Sequence, residues 1–541
     1  MTEEIPHDTT PASPDRGYRE LLHSTAMITA PTLISRVLGY VRDMLQAFFL
    51  GTGIGADAFT IAFVIPNLLR SLTAEGSMTS AFIPTFTRVK KHGSPERTQE
   101  FTNAVFYSLA LIVAGIVLLG ILTAPVLVKA IASGYRLVPG KLDLTVSLLR
   151  IMFPYLLFIS LAALCSAILN SHFKFGLAAA SPIFFNLAMI ACILVLARKT
   201  EDPAYAFAVG VIAGGLCQLL VQLPAVRRLG ISLRPRLDFA DQAVRKLGRL
   251  MLPGIFGLGI FQINLALSRM LASWLSEGSV SALYYATRVA EFTLGIFSLA
   301  VAKALLPTLS LQAAEEDVAG IKKTILFSLK LITVVTMPAA AGLALLAGPI
   351  IRVLFERGAF GPESTALTTS ALVFFSLGLP FSSGNKVLKK GFFSLQDTKT
   401  PVVVAGVSVA FYLSSSLVLM RFMGVGGLAL GLALTETLYF LLLWVLLQKK
   451  IGPLPRRDLL AFSLKILLCT GFMGVVLYLL QQSTPVPAGF WPRLALLLGQ
   501  VAAGLAAYGM SALLLIRKEL RMLKTLFQKK TRGAGSSITN G

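Results

Sequence analysis

The residues with the clearest chemical potential are charged side chains inside apolar stretches. Arg36, Arg42 and Asp43 lie in a largely apolar run, residues 26–50. Since a helix rises about 1.5 Å per residue, a spanning helix that starts near Ser24 would place Arg36 about 15 Å deep, close to the bilayer centre. An arginine there costs about 2.5–3.5 kcal/mol on insertion scales, so such residues normally face a protein interior or a water-filled cavity. The pattern predicts a functional charge; the structural alternative is an ion pair between Arg36 and Asp43.

Other apolar stretches carry charges at comparable depth. Asp57, Arg70 and Glu75 fall in or beside the second predicted span, and Arg288 and Glu291 fall in the eighth. The guanidinium group stays charged at any depth, and its planar fork binds phosphate oxygens through two hydrogen bonds. Arginines that converge from several helices would therefore form an anion site.

We predict that this site binds an anionic substrate through four arginines, Arg36, Arg42, Arg70 and Arg288. Four acids are predicted to hold the arginines or to gate the site when it is empty, namely Asp43, Asp57, Glu75 and Glu291. For Glu75 and Glu291 a plain structural ion pair is an equal alternative. For Asp57 a favourable acid at a helix N-terminus is the simpler interpretation.

The composition indicates an integral membrane protein. The chain has 541 residues, 55% of them hydrophobic and 14% charged, whereas soluble proteins carry about a quarter charged residues. The net charge of +23 comes from basic residues in short loops between apolar stretches, which is the pattern of the positive-inside rule and does not indicate nucleic-acid binding. The four cysteines lie in apolar stretches without metal-ligand spacing, so they predict neither a disulfide framework nor a metal site.

About fourteen apolar stretches are long enough to cross a membrane as helices. The predicted spans are 24–50, 56–87, 99–132, 142–170, 176–197, 203–226, 250–276, 280–311, 321–347, 364–393, 401–421, 425–448, 459–481 and 491–516. The motif AFIPTF, around Pro84, resembles ALLPTL, around Pro307, six helices later. The sequence thus predicts an all-α integral membrane protein with two six-helix lobes, related by a pseudo-two-fold axis along the membrane normal, plus two C-terminal helices.

The predicted domains follow from these spans and from the loop charges. They are a cytoplasmic N-terminal lead (1–23), an N-lobe of helices 1–6 (24–226), a basic cytoplasmic linker (227–249), a C-lobe of helices 7–12 (250–448), helices 13–14 (459–516) and a basic cytoplasmic tail (517–541). The lead is expected to be disordered. Lysines and arginines concentrate in the loops on the side of the N-terminus, which predicts that both termini are cytoplasmic.

No catalytic motif accompanies these features. The sequence holds no Walker loop, no HExxH and no GxSxG, and its four histidines are scattered. We therefore expect a transporter without a cofactor rather than an enzyme. A coupling cation, held by residues such as Asn264 and Asn385, or the membrane potential could drive it.

Five stretches resemble one known family, the MurJ/MviN lipid II flippases of the multidrug/oligosaccharidyl-lipid/polysaccharide exporter superfamily. They are SRVLGYVRD at 35–43, ADAFTIAFVIPNLLRSLTAEGSMTSAFIPTF at 56–86, FPYLLFISLAALCSAILN at 153–170, YYATRVAEF at 284–292 and QDTKTP at 396–401. Two positions depart from the pattern, because Thr287 and Val64 stand where some members carry charged residues.

The resemblance implies two lobes in a V, alternating access, and transport of lipid II from the inner to the outer leaflet of the bacterial cytoplasmic membrane. It assigns the four arginines named above to the substrate's diphosphate, and helices 13–14 to a groove for the polyprenyl tail. Membrane lipids and cell-wall synthesis proteins are the further partners it suggests.

Three alternatives stay open at this point. The chain could flip another polyprenyl-diphosphate-linked sugar, export drugs, or act as a non-transporting cell-wall scaffold. A drug exporter of cationic substrates would favour an acidic or apolar cavity over this basic one. A membrane glycosyltransferase or phosphatase would need paired acids or a nucleophilic histidine, and the sequence has neither.

Overall fold

The structure is a computed structural model whose described residues are mostly helical. It describes the backbone of residues 14–71 and 78–517, and the side chains of these ranges except 14–28, 79–80, 252–263, 265 and 293–304. Within this part of the chain there is no β-strand. The helices assemble into two compact units.

The first unit comprises the described residues of Met1–Phe49, Ala58–Ala130 and Val138–Gly259. Its helices are α1 (Pro14–Leu50), α2 (Ile54–Arg70) from Ala58 onward, α3 (Met78–His92), α4 (Pro95–Ile131), α5 (Lys141–Met152), α6 (Tyr155–Ser171), α7 (Phe175–Leu196), α8 (Pro203–Arg228) and the start of α9 (Gln242–Ala272). Stacked aromatic rings form part of the core, where Phe82 lies 5.3 Å from Phe86 and 6.1 Å from Phe101 between ring centroids.

The second unit comprises Leu50–Asp57, Ile131–Leu137 and the described residues of Ile260–Gly541. Its helices, after the end of α9, are α10 (Ser279–Ala314), α11 (Val318–Leu345), α12 (Ala347–Phe355), α13 (Pro362–Leu377), α14 (Leu379–Ser394), α15 (Lys399–Ile451), α16 (Arg456–Ser483) and α17 (Phe490–Leu515). Fully buried Ile325, Leu388 and Leu443 lie at the centre of its core.

The linker between α8 and α9 is held on α4 in the first unit. Its extended segment pairs with the side-chain amide of Gln99, which accepts from the Ser232 N–H at 2.9 Å and donates to the carbonyl of the same residue. One turn further along α4, Asn103 accepts from the Arg234 N–H at 3.3 Å. Arg97 on α4 holds the end of the linker with two hydrogen bonds to Asp241, at 2.7 and 2.9 Å. The predicted basic linker therefore contains an ordered extended segment that packs on α4.

Eight stretches of the described residues are long and apolar enough to cross a membrane, with α5 and α6 counted together as Lys141–Ser171, or nine when the pair α13 and α14, bent by 43°, is counted as one span. The chain is therefore an all-α, multi-pass membrane protein, as the sequence predicts, while the count of about fourteen spans stays a prediction. The fourth predicted span, 142–170, corresponds to α5 and α6, which together form one candidate membrane span, Lys141–Ser171, with Pro154 at the junction.

The two predicted spans 401–421 and 425–448 are joined in α15, a helix of 53 residues that breaks at Gly424 (φ 54°, ψ −129°). Glycine adopts this left-handed φ without a steric penalty. The two ends of α15 meet, because Lys450 Nζ lies 2.6 Å from Asp397 Oδ2, just before its first residue. The helix therefore folds back at Gly424, and its two arms correspond to the two predicted spans.

The Asp397 turn lies within the motif QDTKTP. Burial alone would raise the pKa of the Asp397 carboxyl, but hydrogen bonds from Lys450 and Thr400 outweigh it and lower the pKa to about 2. A lowered folded-state pKa means that this turn contributes its full stability above about pH 4, the pKa of an unfolded aspartate, and loses it as the pH falls towards 2.

Several helix positions differ from the sequence-based prediction. Helix α9 begins at Gln242, inside the predicted linker 227–249. Helix α1 begins at Pro14, ten residues before the predicted start near Ser24, so residues 14–23 of the expected disordered lead are helical. The short helix α12 lies in a loop predicted between two spans. The beginning of the lead, residues 1–13, and the tail after Arg517 lie outside the described residues.

Candidate functional site

Arg42 and Asp43 form a buried ion pair on α1. Arg42 donates from Nη2 and Nε to Asp43 Oδ1, at 2.7 and 3.1 Å, and the two residues are 8% and 3% exposed. The carboxylate thus binds the neighbouring arginine, and not Arg36 as the alternative from the sequence had it. A buried pair of this kind keeps a guanidinium in place at little net charge.

Asn186 on α7 connects this pair to the backbone of α1. Its Oδ1 accepts from Arg42 Nη1 at 3.4 Å, and its Nδ2 donates to the carbonyl of Ser35 at 3.1 Å. The same Nδ2 donates to the Pro182 carbonyl in its own helix, also at 3.1 Å. Asn186 therefore fixes the direction in which Arg42 points.

Arg36 lies on a different face of α1 from Arg42. Six residues of helix correspond to a rise of about 9 Å and a rotation of about 240°. In agreement, Arg36 is half-buried while Arg42 is buried. The partly open guanidinium of Arg36 is the more accessible of the two.

Arg70 ends α2. Its Nε donates to Asn67 Oδ1 at 3.0 Å, one turn earlier, and a cation in the last turn is favoured by the helix dipole. The predicted partner Glu75 lies outside the described residues.

Asp57 binds the N-terminus of another helix. The carboxylate accepts from the backbone N–H groups of Gly278 and Ser281, at 2.9 and 2.8 Å, and from the Ser281 hydroxyl at 2.7 Å. Gly278 is the N-cap residue of α10 and has a left-handed φ of 85°. A Cβ at this glycine would lie 2.4 Å from the carbonyl oxygen of Thr52. Asp57, which is only 1% exposed, is thus an N-terminal acid of α2, as the simpler interpretation has it, and also caps α10.

Arg288 lies on α10 in the second unit with a half-open environment. Its Nη1 is 3.7 Å from Glu291 Oε2, and these side chains are 40% and 62% exposed. Its Nε donates to the hydroxyl of Tyr284 at 3.3 Å, and its guanidinium lies 5.3 Å from the centre of the same ring. The ion pair with Glu291 is exposed and therefore weak, so the guanidinium can exchange its carboxylate for another anion.

Arg269 on α9 is a buried arginine that the sequence analysis missed. It is 5% exposed, and its guanidinium lies 5.5 Å from the centre of the Tyr284 ring, which it shares with Arg288. Its Nη1 donates to the Val280 carbonyl at 3.3 Å. Among the described residues, its Nε has no hydrogen-bond partner and no carboxylate pairs with it. The signal was available, since Arg269 is a charge within a predicted span, as Arg36 is.

A second group of polar and charged residues lies on α14 and α15. Glu436 Oε2 on α15 accepts from Asn385 Nδ2 on α14 at 2.7 Å, and Lys386 and Lys389 follow Asn385 on α14. A coupling cation at Asn385 stays a prediction. No group of three metal-ligating side chains occurs in the part of the chain that the structure describes.

The predicted arginines thus divide between the units, with Arg36, Arg42 and Arg70 in the first and Arg288 in the second. Asp43 and Asp57 have structural partners. The convergence of the arginines on one anion stays a prediction. The described residues of this group can bind an anion through their positive charges. No nucleophile or acid–base pair is arranged among them.

Comparison with known proteins finds one family over most of the chain. Residues 46–496 match the family described as lipid II flippase MurJ. The chain is 35% identical over 515 residues to the probable lipid II flippase MurJ of Vibrio cholerae, covering 94% of this chain and 98% of that protein. It is 34% identical over 435 residues to the lipid II flippase MurJ of Burkholderia cenocepacia, covering 80% and 84%.

Solved structures agree with this match. A lipid II flippase MurJ in an inward closed conformation aligns with a TM-score of 0.76 at 25% identity, over 92% of this chain and all of that one. A multidrug resistance MATE family transporter of the MOP superfamily, in an inward-facing conformation, aligns with a TM-score of 0.64 at 14% identity, over 78% and 96%. The second likeness shows the fold alone.

Proposed function

The chain belongs to the lipid II flippase MurJ family, and from this premise we propose that it moves lipid II from the inner to the outer leaflet of the bacterial cytoplasmic membrane. The family match over residues 46–496 is the observation that carries the proposal. The protein is a transporter and not an enzyme, in accordance with the names of its relatives. Peptidoglycan synthesis is the process it serves.

The diphosphate of the substrate binds to the guanidinium groups of Arg36, Arg42, Arg70 and Arg288. Phosphate oxygens match the planar fork of arginine, and a partly desolvated site strengthens each charge-assisted hydrogen bond. Arg36 is partly open and the ion pair of Arg288 with Glu291 is exposed, so these two arginines take up the diphosphate first. Arg42 is held by Asp43 and Asn186 and supplies a preoriented positive charge.

Transport proceeds by alternating access. The polyprenyl tail stays in the lipid, with α16 and α17 offering it a groove, while the head group changes sides. The empty carrier is reset by the membrane potential or a coupling cation, since each unit charge moved across 100 mV is worth about 2.3 kcal/mol. Both termini lie in the cytoplasm, and lipid II, membrane lipids and cell-wall synthesis proteins are the partners.

Two other functions fit the same fold. A flippase for another polyprenyl-diphosphate-linked sugar would use the same arginines, because the diphosphate is common to both substrates. A cell-wall scaffold would not transport at all and would tolerate the loss of these arginines.

The test is complementation of bacteria depleted of their own lipid II flippase. Lipid II in the outer leaflet is scored by its degradation with an enzyme added outside the cells. We expect the wild-type chain to restore it, and Arg36→Ala or Arg288→Ala to reduce it by about tenfold or more, since a hydrogen bond to a charged group contributes about 1.5–3 kcal/mol.

The matched control is Arg421→Ala, which removes an exposed arginine outside the predicted site. Each variant is quantified in the membrane so that activity is compared at equal amounts. Full activity of both Arg36→Ala and Arg288→Ala would contradict the anion site. Absence of rescue by a correctly inserted wild-type chain would favour another lipid-linked sugar or the scaffold.

A further inference from the structure

A cavity of ≈ 190 Å³ lies in the second unit between α12, the end of α16 and the start of α17. Its polar lining consists of Arg352, Arg493, Gln481, Thr484 and Gln500, and the rest of its wall is apolar. None of these residues belongs to the arginine site proposed above.

The mouth of the cavity carries a net positive charge. Arg352 and Arg493 share one carboxylate, that of Glu356, at 3.7 and 3.3 Å. Two cations and one anion leave one positive charge at the mouth. Arg352 is 44% exposed and Arg493 is 31% exposed, so both guanidinium groups are accessible to a ligand.

A buried acceptor lies deeper in the cavity. Gln500 is 5% exposed, and its Oε1 has no hydrogen-bond partner among the described residues. It stands seven residues after Arg493, on the same face of α17 and about 10 Å along the helix axis. A buried amide oxygen of this kind calls for a donor, which a hydroxyl group of a ligand supplies.

The cavity lies at the level of lipid head groups. Helices α16 and α17 are candidate membrane spans, and the cavity opens where the first ends and the second begins. Trp491, beside the mouth, is 74% exposed, and exposed tryptophans at span ends mark the membrane–water interface. Phe490, stacked under Arg357 at 4.4 Å, lies in the same turn.

We infer that this cavity binds the phosphoglycerol head group of an anionic phospholipid such as phosphatidylglycerol. The phosphate lies between Arg352 and Arg493 at the mouth, and its single negative charge balances the single positive charge there. The glycerol end enters the cavity, and one of its hydroxyls donates to Gln500 Oε1. The acyl chains stay outside in the bilayer. The inference holds whichever lipid the protein flips.

The test compares lipids that share the phosphate but differ in the hydroxyl. The purified protein is placed in phosphatidylcholine nanodiscs that contain either phosphatidylglycerol or phosphatidic acid at equal mole fraction, and retained lipid is counted by native mass spectrometry. We expect preferential retention of phosphatidylglycerol. Arg352→Gln with Arg493→Gln should reduce retention of both lipids about tenfold or more, because the phosphate loses its cations.

Gln500→Leu distinguishes the contribution of the lipid hydroxyl to retention from that of the phosphate. We expect it to lower retention of phosphatidylglycerol to that of phosphatidic acid and to leave phosphatidic acid unchanged. Arg421→Gln, an exposed arginine elsewhere in the same unit, is the control and should change neither. If the double variant fails to fold, Arg352→Gln alone serves, because among the described residues its exposed side chain makes one polar contact, the long one with Glu356.

Three results would overturn the inference. They are equal retention of the two lipids by the wild-type protein, unchanged retention in the arginine variants, and displacement of the lipid by millimolar glycerol 3-phosphate. The last result would assign the cavity to a soluble phosphate ester. Transport activity does not enter the readout, so failure here is distinct from failure of the flippase proposal.

Discussion

At the scale of single residues, Arg269 carries a positive charge that its described surroundings do not neutralise. Its guanidinium is buried against Tyr284 and donates to one backbone acceptor, the carbonyl of Val280. Burying an unpaired charge costs several kcal/mol, so a residue kept only for stability would be apolar at this position. Since Arg288 contacts the same ring, Arg269 is placed to position Tyr284 and, through it, Arg288.

We expect Arg269→Met to leave folding intact and to impair transport. The free energy of unfolding should be unchanged or rise by about 1–4 kcal/mol, because the desolvation cost disappears. Transport should fall several-fold, and its dependence on lipid II concentration should change because Arg288 loses its orientation. Thermal melting of the purified variant and the outer-leaflet assay measure the two effects.

A fall in stability together with transport would show a merely structural role for Arg269. Arg269→Lys provides the companion variant. It restores the charge without the planar group, so recovery of transport by lysine would attribute the effect to charge rather than to stacking on Tyr284.

At the scale of elements, the turn between α1 and α2 is bound to the start of α10. Asp57 caps α10 through two backbone N–H groups, and the Tyr285 hydroxyl donates to the carbonyl of Gly51 at 3.1 Å. Gly51 has a left-handed φ of 56°, and a Cβ there would lie 2.3 Å from the carbonyl oxygen of Ala359. Close approach of backbones therefore requires glycine at this position.

The capping geometry predicts that Asp57→Ala destabilises the protein by about 0.5–2 kcal/mol, the usual cost of a lost cap. Asp57→Asn should lose less stability, because the amide oxygen still accepts a hydrogen bond from one of the two backbone N–H groups. Thermal melting of the purified variants measures both. Asp143→Asn, which changes an exposed acid in the first turn of α5, is the control.

Asp57 is also a predicted gating residue, and the two roles give different results. Loss of transport in Asp57→Asn at wild-type stability would identify gating. Loss of stability in proportion to transport would identify the cap as its main contribution.

At the scale of the whole molecule, the predicted orientation is open to a direct test. After the native cysteines are replaced, single cysteines are introduced by Lys90→Cys and Trp491→Cys, both at exposed positions. In intact cells a membrane-impermeant maleimide should label position 491 and not position 90. Permeabilised cells, in which both positions should react, provide the control, and the opposite pattern would reverse the orientation.

The apolar spans, the arginine within the first of them and the family could all be predicted from the sequence. Hydropathy is a local property: a run of about 20 apolar residues suffices to predict a membrane span without knowledge of its neighbours. The charge of Arg36 in such a run is equally local. The break at Gly424 falls in the gap between two predicted spans. The sequence itself shows the glycine that permits this break.

The partners of the charges were decided by the tertiary structure alone. Asp57 binds an N-terminus 221 residues away, and Lys450 reaches Asp397 because α15 folds back. The burial of Arg269 and the charged mouth around Glu356 likewise depend on segments that only packing brings together. A hydrogen bond acts over about 3 Å, and sequence spacing does not report such distances between helices.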